Sequence, residues 1–271
     1  MIRAHAFAVP LLVLLAAPVA ANPYLDGCLD PSAPAPVAAD QCRRAADWGD
    51  LEGRPLARVR TTQGLALSEM GRDGDALAAV DAALAAEGGH QPAWAARAVS
   101  RARRGRLEGA FADWREALRR DPRDWRSRLA RAGWLIRDDR PAEALEDLDR
   151  AARIAPEQPD VAYTRGLALA ALDRREAARA AFSRAIRLNP RDAQAHLRRA
   201  LARAPEDPRG ALADLDSAIR LDPEWAAAWA TRGRLLERMD RPAEATRDYR
   251  RAFELGLQAP WLNERIEALG G

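Results

Sequence analysis

The sequence RPAEA at residues 140–144 recurs without change at residues 241–245. The two copies lie three periods apart, because small residues return about every 34 positions between residues 57 and 257. The register is set by Ala76, Ala110, Ala144, Ala178, Ala211 and Ala245. Seven residues after each of them stands another alanine, at Ala83, Ala117, Ala151, Ala185, Ala218 and Ala252. A period of this length indicates a stack of small repeated units, each of which contacts its neighbours.

Each period is predicted to form two antiparallel helices. Residues 161–172 contain no proline and are rich in alanine and leucine. After a short turn, residues 177–188 form a second helical stretch, which Asn189 and Pro190 end. The fold class is therefore all-α, with helix pairs of about 34 residues.

The repeats resemble the tetratricopeptide repeat. In that family the first helix of each repeat carries an aromatic residue followed by a small one. The second helix carries a small residue, a large apolar residue and an alanine, and a proline follows that helix. The second repeat carries this pattern as Trp94, Ala98, Ala110, Trp114, Ala117 and Pro122. The sixth carries most of it as Trp229, Gly233, Ala245, Tyr249 and Ala252. The resemblance covers residues 57–257 as six repeats and implies a right-handed superhelical solenoid.

Three repeats depart from the family pattern. The first ends in Gly88-Gly89 and the sixth has Leu257 where proline is expected. The fifth is one residue short and carries Pro205 and Pro208 around its turn. Because proline interrupts helical hydrogen bonding, the first helix of the fifth repeat is expected to be short or irregular.

Residues 1–21 are typical of a secretory signal peptide. An apolar run over residues 6–17 is followed by small residues before the expected cleavage between Ala21 and Asn22. That run is too short to span a bilayer, and no later stretch is apolar enough to do so. The apolar run ends too far upstream of Cys28 for a lipoprotein signal. We therefore expect a bacterial protein that is periplasmic or secreted, without a membrane span in the mature chain.

Two segments flank the repeats. Residues 22–56 contain Cys28, Cys42 and a lone helix expected at residues 37–48. In an oxidising compartment the two cysteines are expected to form a structural disulfide, which stabilises an otherwise floppy segment. Residues 258–271 are expected to form a capping helix, which an open-ended stack needs for solubility.

Charged residues recur with the repeats and predict ion pairs between the two helices of one repeat. Arginine stands at the same place in the first helix of five repeats, and aspartate stands at the facing place in four of these. The predicted pairs are Arg97–Asp113, Arg131–Asp147, Arg199–Asp214 and Arg232–Asp248. The fourth repeat has Arg165 opposite Ala181, so Arg165 must reach another acid or water. The alternative is that all these charges are solvated, in which case each pair contributes about 0–1 kcal/mol.

Composition and motifs argue against several classes of function. The 43 basic residues are all arginine and face 40 acidic residues, so no concentrated positive field is available for nucleic acid. The sequence lacks histidine and cysteine at metal-ligand spacing, a phosphate-binding glycine loop and a nucleophile elbow. We therefore expect no metal, no cofactor and no catalysis. Two alternatives stay open, a structural subunit of an envelope complex and an enzyme with a cryptic site.

The resemblance implies a scaffold whose first helices line a concave groove for a protein or an extended peptide. The candidate groove residues are Arg126, Leu129, Ile136, Arg137, Tyr163, Leu167, Leu197 and Leu201, on a stripe that also holds Gly133, Asp160, Ala170 and Gln194. Family members that clamp a chaperone's acidic C-terminus use asparagines in these helices, and none is present here. The aliphatic centre and the arginines toward the third repeat favour an extended peptide with aliphatic side chains and an acidic flank. Alternatively, Leu167 and Leu201 pack against the next first helix.

Overall fold

A computed structural model describes residues 22–270 of the chain. The expected signal peptide, residues 1–21, lies outside the described residues. Within residues 22–270 all regular structure is α-helical, which confirms the predicted fold class. In chain order the helices are α1 (Leu25–Leu29), α2 (Ala35–Asp47), α3 (Gly53–Glu69), α4 (Asp73–Ala86), α5 (Gln91–Arg103), α6 (Leu107–Arg120), α7 (Trp125–Arg137), α8 (Pro141–Ile154), α9 (Pro159–Ala171), α10 (Arg175–Leu188), α11 (Ala193–Arg203), α12 (Pro208–Leu221), α13 (Ala226–Arg238), α14 (Pro242–Glu254) and α15 (Pro260–Gly270).

Two compact parts divide the chain, one ending at Ala93 and the other beginning at Trp94. In the first part α1 and α2 pack against α3, and α3 pairs with α4. A disulfide joins Cys28 in α1 to Cys42 in α2, the pairing expected from the sequence. Both cysteines are fully buried in a cluster with Ala45 and Val59, so the disulfide lies in the core of this part.

The segment before the repeats holds more helix than the sequence pattern predicts. The lone helix expected at residues 37–48 is preceded by the short helix α1, and α2 itself begins two residues early, at Ala35. Pro34 and Pro36 flank that start, where a missing backbone N–H costs nothing, so they begin the helix and do not block it. Helix α3 starts at Gly53, four residues before the expected start of the first repeat.

The second part is a run of helix pairs. We call α5, α7, α9, α11 and α13 the A helices and α6, α8, α10, α12 and α14 the B helices. From α7 to α14 each A helix pairs with the following B helix, and each B helix also contacts the next A helix. Helix α15 packs against α14 and ends the described chain.

In the second, third, fourth and sixth repeats, the turn between the A and B helices contains a residue in the left-handed region. Asp139, Asp173 and Asp240 occupy it with φ values of 55°, 54° and 58°, and Gly105 occupies it in the second repeat. Aspartate tolerates this conformation better than most residues because its short side chain bonds locally. These single residues reverse the chain, so the two helices of a repeat can pack side by side.

Small residues on the A helices allow close packing against one large residue of the B helix. Phe182 lies directly over Gly166, and a methyl group on Gly166 would overlap its ring. A Cβ on Gly233 would likewise lie 2.7 Å from Cε1 of Tyr249. Phe182 and Tyr249 are both almost fully buried, which places the core between the paired helices.

The fifth repeat has the short A helix that its prolines predict. Helix α11 has 11 residues, whereas α7, α9 and α13 have 13 each. Pro208 opens α12, and Asp207 caps that helix by accepting a hydrogen bond from Gly210 N at 2.8 Å. Helix α11 is thus two residues shorter than the other A helices and the turn after it, residues 204–207, is one residue longer than theirs. The missing residue therefore comes out of α11, and the helix pair stays intact.

None of the helices within residues 22–270 is long and apolar enough to cross a bilayer.

Candidate functional site

The four predicted ion pairs between A and B helices are all present, and we call them rungs. In each rung Nε and Nη2 of arginine donate to the two carboxylate oxygens of aspartate. The shortest nitrogen–oxygen distances are 2.9 Å for Arg97–Asp113, 2.6 Å for Arg131–Asp147, 2.5 Å for Arg199–Asp214 and 2.7 Å for Arg232–Asp248. All four aspartates are buried, so the alternative of solvated surface charge does not apply to them.

Three rungs contain a second arginine that the repeat pattern does not reveal. Arg101 binds Asp113 at 2.7 Å, Arg128 binds Asp147 at 3.2 Å, and Arg203 binds Asp214 at 3.1 Å. Arg101 and Arg203 stand at the same place, four residues after the rung arginine, where the third, fourth and sixth repeats have leucine. Arg128 stands three residues before its rung arginine, so no single repeat position marks the second partner. Each buried carboxylate in these three rungs is thus shared between two guanidinium groups.

The surroundings of Asp214 in its rung change the pKa of its carboxyl group. Burial opposes ionisation of this carboxyl group, but the nearby His196 ring, 3.8 Å away, and the hydrogen bonds from Arg199 and Arg203 outweigh it. Together they hold the pKa of Asp214 well below its usual range. Asp214 therefore stays charged at any physiological pH.

Some rung arginines also bind the preceding repeat. Nη1 of Arg232 donates to Asp216 at 2.7 Å, and Nη1 of Arg199 donates to Oγ of Ser183 at 3.2 Å. Arg165, which has no aspartate in its own repeat, donates to Asp149 of the preceding repeat at 2.8 Å. Arg165 has therefore found another acid, one of the two outcomes expected from the sequence.

The predicted stripe on the A helices is partly core. Leu129 and Ile136 on α7 are half-buried against a cluster built around Leu135 and Leu148. Leu167 on α9 is half-buried against the cluster that contains Phe182. These three side chains present only part of their surface to a partner.

The two arginines of the stripe are exposed and held in place. Arg126, near the start of α7, lies over the ring of Trp125 with its Cζ 4.6 Å from the centroid. Arg137, at the end of α7, lies over Trp134 at 5.1 Å. Such cation–π contacts orient a guanidinium group without neutralising it. Both charges thus remain available to an acidic ligand.

Tyr163 links two neighbouring A helices. Its hydroxyl donates to Oε1 of Gln194 on α11 at 3.2 Å, and its ring lies 5.9 Å from that of Phe182. The side chain is half-buried. Tyr163 therefore has a structural role as well as a surface that a partner could contact.

The prediction that Leu197 lines a groove is wrong. Leu197 is only 6% exposed and belongs to a buried cluster with Leu215 and Leu235. Its spacing places it on the correct side of α11, but the neighbouring helices cover it. Leu201, one turn further on, is 47% exposed and is the most accessible large apolar residue of the stripe. The alternative that Leu201 packs against the next A helix therefore does not hold.

The described chain offers side chains for binding a partner. No group of three or more histidine, cysteine, aspartate or glutamate side chains within residues 22–270 is placed to hold a metal ion. The buried acids are engaged in rungs, where their partners are arginines of the same scaffold. What the stripe can do is present one exposed leucine, partly covered apolar side chains and two fixed positive charges to a partner.

Comparisons with known proteins agree with this architecture. Two family models, each described as tetratricopeptide repeat, match residues 112–159 and 159–192. A tetratricopeptide repeat protein from Parabacteroides merdae superposes with a TM-score of 0.62 at 17% identity, covering 88% of this chain and 93% of that one. PilF from Pseudomonas aeruginosa superposes with a TM-score of 0.70 at 21% identity, covering 78% and 96%.

A third solved structure, YrrB, is described as a TPR protein with an unusual peptide-binding site. It superposes with a TM-score of 0.56 at 22% identity and covers 70% of this chain and 97% of its own. At these identities the likeness shows the fold. No curated protein matches the sequence significantly. The recurring residues, the helix pairs and the two family matches together make this chain a tetratricopeptide repeat protein.

Proposed function

We propose that this protein is a non-catalytic scaffold of the cell envelope that binds an extended peptide along the A-helix stripe. The fold supports the general part of this proposal, because tetratricopeptide repeats serve protein–protein interaction. YrrB, with the same fold, is described as having a peptide-binding site. The expected signal peptide and the Cys28–Cys42 disulfide support the envelope as the compartment.

The observation that carries the choice of ligand is the pairing of Leu201 with two fixed arginines on one stripe. Leu201 is nearly half exposed, although an aliphatic side chain gains by burial. Arg126 and Arg137 lie two A helices away and keep their charge exposed. A peptide that covers Leu201 with an aliphatic side chain and places acidic residues near α7 would satisfy both features.

The test uses the full chain and a labelled peptide of the sequence EEELALALA, with fluorescence polarisation as the readout. We expect binding that weakens by about tenfold in Arg137→Glu, because an attractive charge becomes repulsive, and similarly in Leu201→Glu. The matched control is Leu221→Glu, an exposed leucine at the end of a B helix. An affinity within about twofold of wild type in both stripe variants, with circular dichroism unchanged, would mean that the stripe does not bind the peptide.

A further inference from the structure

In each of the four repeats that have a rung, one side chain at the same place in the A helix lies beside the rung arginine or aspartate. We call these the cover residues: Trp94, Arg128, His196 and Trp229. Three of them also bind the proline carbonyl that ends the preceding repeat. Nε1 of Trp229 donates to Pro223 O at 2.9 Å, Nη2 of Arg128 donates to Pro122 O at 3.0 Å, and Nε2 of His196 lies 3.3 Å from Pro190 O.

The fourth repeat lacks both the cover residue and the rung aspartate. Ala162 stands where Trp94 and Trp229 stand in the second and sixth repeats, and Ala181 stands where the aspartate would be. Two large groups, an indole ring and a carboxylate, are thus replaced by methyl groups in one repeat. Both alanines are buried, so the volume of the absent side chains is missing beneath the protein surface.

A cavity of about 360 Å³ occupies this place, between α8, α9 and α10. Its lining includes Val161, Ala162 and Ala181 on the apolar side and Arg165, Arg184 and Arg187 on the polar side. The volume lies within the roughly 300–1,000 Å³ that is usual for small-ligand pockets. We call it the Ala162 cavity.

The arginines around the Ala162 cavity are incompletely matched by acids. The only acidic residue in the lining is Asp149, which binds Arg165. Arg184 donates instead to Pro156 O at 2.9 Å, the carbonyl that a cover residue binds in other repeats. Within the described residues, the side chain of Arg187 forms no hydrogen bond or ion pair, and it is exposed. By contrast, the cavity in the sixth repeat is lined by three arginines and three acids.

The sixth repeat shows what fits such a place. There Arg232 binds Asp248 and its Cζ also lies 4.8 Å from the centre of the Trp229 ring, so one guanidinium group holds a carboxylate and stacks on an aromatic face. The second repeat repeats this arrangement, with Arg97 4.6 Å from the Trp94 ring. Arg165 is the equivalent guanidinium in the fourth repeat, and both of those partners are missing.

We propose that the Ala162 cavity is a recognition site for an aromatic group that carries a carboxylate. The ring would lie on Val161 and Ala162 against Arg165, as indole rings do in the sister repeats. The carboxylate would take the place of the missing aspartate and be bound by Arg165 and Arg184, with Arg187 adding positive charge at the rim. A C-terminal tryptophan of a peptide and a free aromatic acid both have this chemistry. The cavity shares no residue with the A-helix stripe, so its occupancy is independent of the function proposed above.

The experiment measures binding of N-acetyl-5-fluorotryptophan to the full chain by ¹⁹F NMR. We expect saturable binding, and at least about tenfold weaker binding of the matching carboxamide, because the carboxylate interaction is then lost. A tetraglycyl-5-fluorotryptophan peptide with a free C-terminus separates the two sources. Clearly weaker binding of the peptide identifies a free aromatic acid as the ligand, and clearly tighter binding of the peptide identifies a chain terminus.

The decisive variant is Ala181→Asp, which restores the residue that the other rungs have. Its carboxylate is expected to occupy Arg165 and to weaken binding by about tenfold or more, without loss of helix content. The control Ala213→Asp adds the same charge at an exposed place on α12 and should leave affinity unchanged. Should Ala181→Asp fold poorly, Arg184→Gln is the second variant and should also weaken binding. Absence of binding to wild type, equal binding of acid and carboxamide, or unchanged binding in a folded Ala181→Asp would each overturn the proposal.

Discussion

Replacing Asp147 by alanine tests whether the rungs stabilise the fold. Asp147 is buried, and it accepts hydrogen bonds from Arg131 at 2.6 and 2.7 Å and from Arg128 at 3.2 Å. The side chain of Arg128 is only 7% exposed, so removal of Asp147 leaves a buried guanidinium without a counter-ion. Removing one partner of a buried pair typically costs about 3–5 kcal/mol.

The expected cost for Asp147→Ala is at the lower end of that range or just below it, about 2–3 kcal/mol. Arg131 is 23% exposed and can turn toward water, and Arg128 keeps its hydrogen bond to Pro122 O. The matched control is Asp149→Ala, two residues further along α8. That carboxylate is 46% exposed and pairs with a partly exposed arginine, so its loss should cost no more than about 1 kcal/mol.

The assay is urea unfolding of both variants, followed by circular dichroism and compared at equal m-values. We expect the unfolding midpoint of Asp147→Ala to fall well below that of Asp149→Ala. If the two variants lose the same free energy of unfolding, the claim that the rungs stabilise the fold is refuted. The buried aspartate with two arginines would then contribute no more stability than an exposed aspartate with one.

Three further outcomes follow from the structure. The Cys28–Cys42 disulfide closes a loop of 15 residues, so its reduction should lower the stability of the first compact part by about 3 kcal/mol. Mass spectrometry without reductant should find no free thiol, and two titratable thiols would contradict the pairing. Gly166→Ala should destabilise the protein by about 1–3 kcal/mol, because the added methyl group overlaps the ring of Phe182. The control Gly133→Ala adds a methyl group with no atom within 4 Å and should stabilise the protein by about 0.5–1 kcal/mol. Melting temperatures that shift in the same direction in the two variants would argue against this packing. Because the pKa of Asp214 is lowered in the folded state, its ionised carboxylate stabilises the fold fully above the unfolded-state pKa of about 4, and this stabilisation is lost as the pH falls below that value. The urea midpoint should therefore fall more steeply between pH 6 and pH 3 in wild type than in Asp214→Asn. Parallel curves for the two proteins would exclude this contribution to stability.

The repeat pattern predicts most of the fold because a recurring residue reports a recurring environment. Ala178 and its equivalents mark where helices approach, and all of these alanines are buried. The rungs are predictable for the same reason, since arginine and aspartate recur together. A single sequence thus carries several independent copies of the same structural information.

What occurs once is not predictable in this way. Arg128 stands at a place where the other three repeats with a rung have tryptophan or histidine, so nothing marks it as the second partner of Asp147. The helical period places Leu197 on the stripe, but burial depends on how closely neighbouring helices approach, which the period does not encode. The Ala162 cavity is likewise invisible until the missing side chains are compared with their equivalents in space.

The hydrogen bonds from A-helix arginines to the preceding B helix also determine which repeats unfold together. Arg165, Arg199 and Arg232 each tie their repeat to the one before it, through Asp149, Ser183 and Asp216. At the boundary between α6 and α7 the equivalent place is taken by Arg115, which lines the same cavity as Arg131 with the same sign of charge. In a chain whose cooperativity is transmitted only between nearest neighbours, that boundary is coupled more weakly than the three boundaries that follow it. Helices α7 to α14 should therefore exchange their amide protons as one unit, and α6 should open ahead of them.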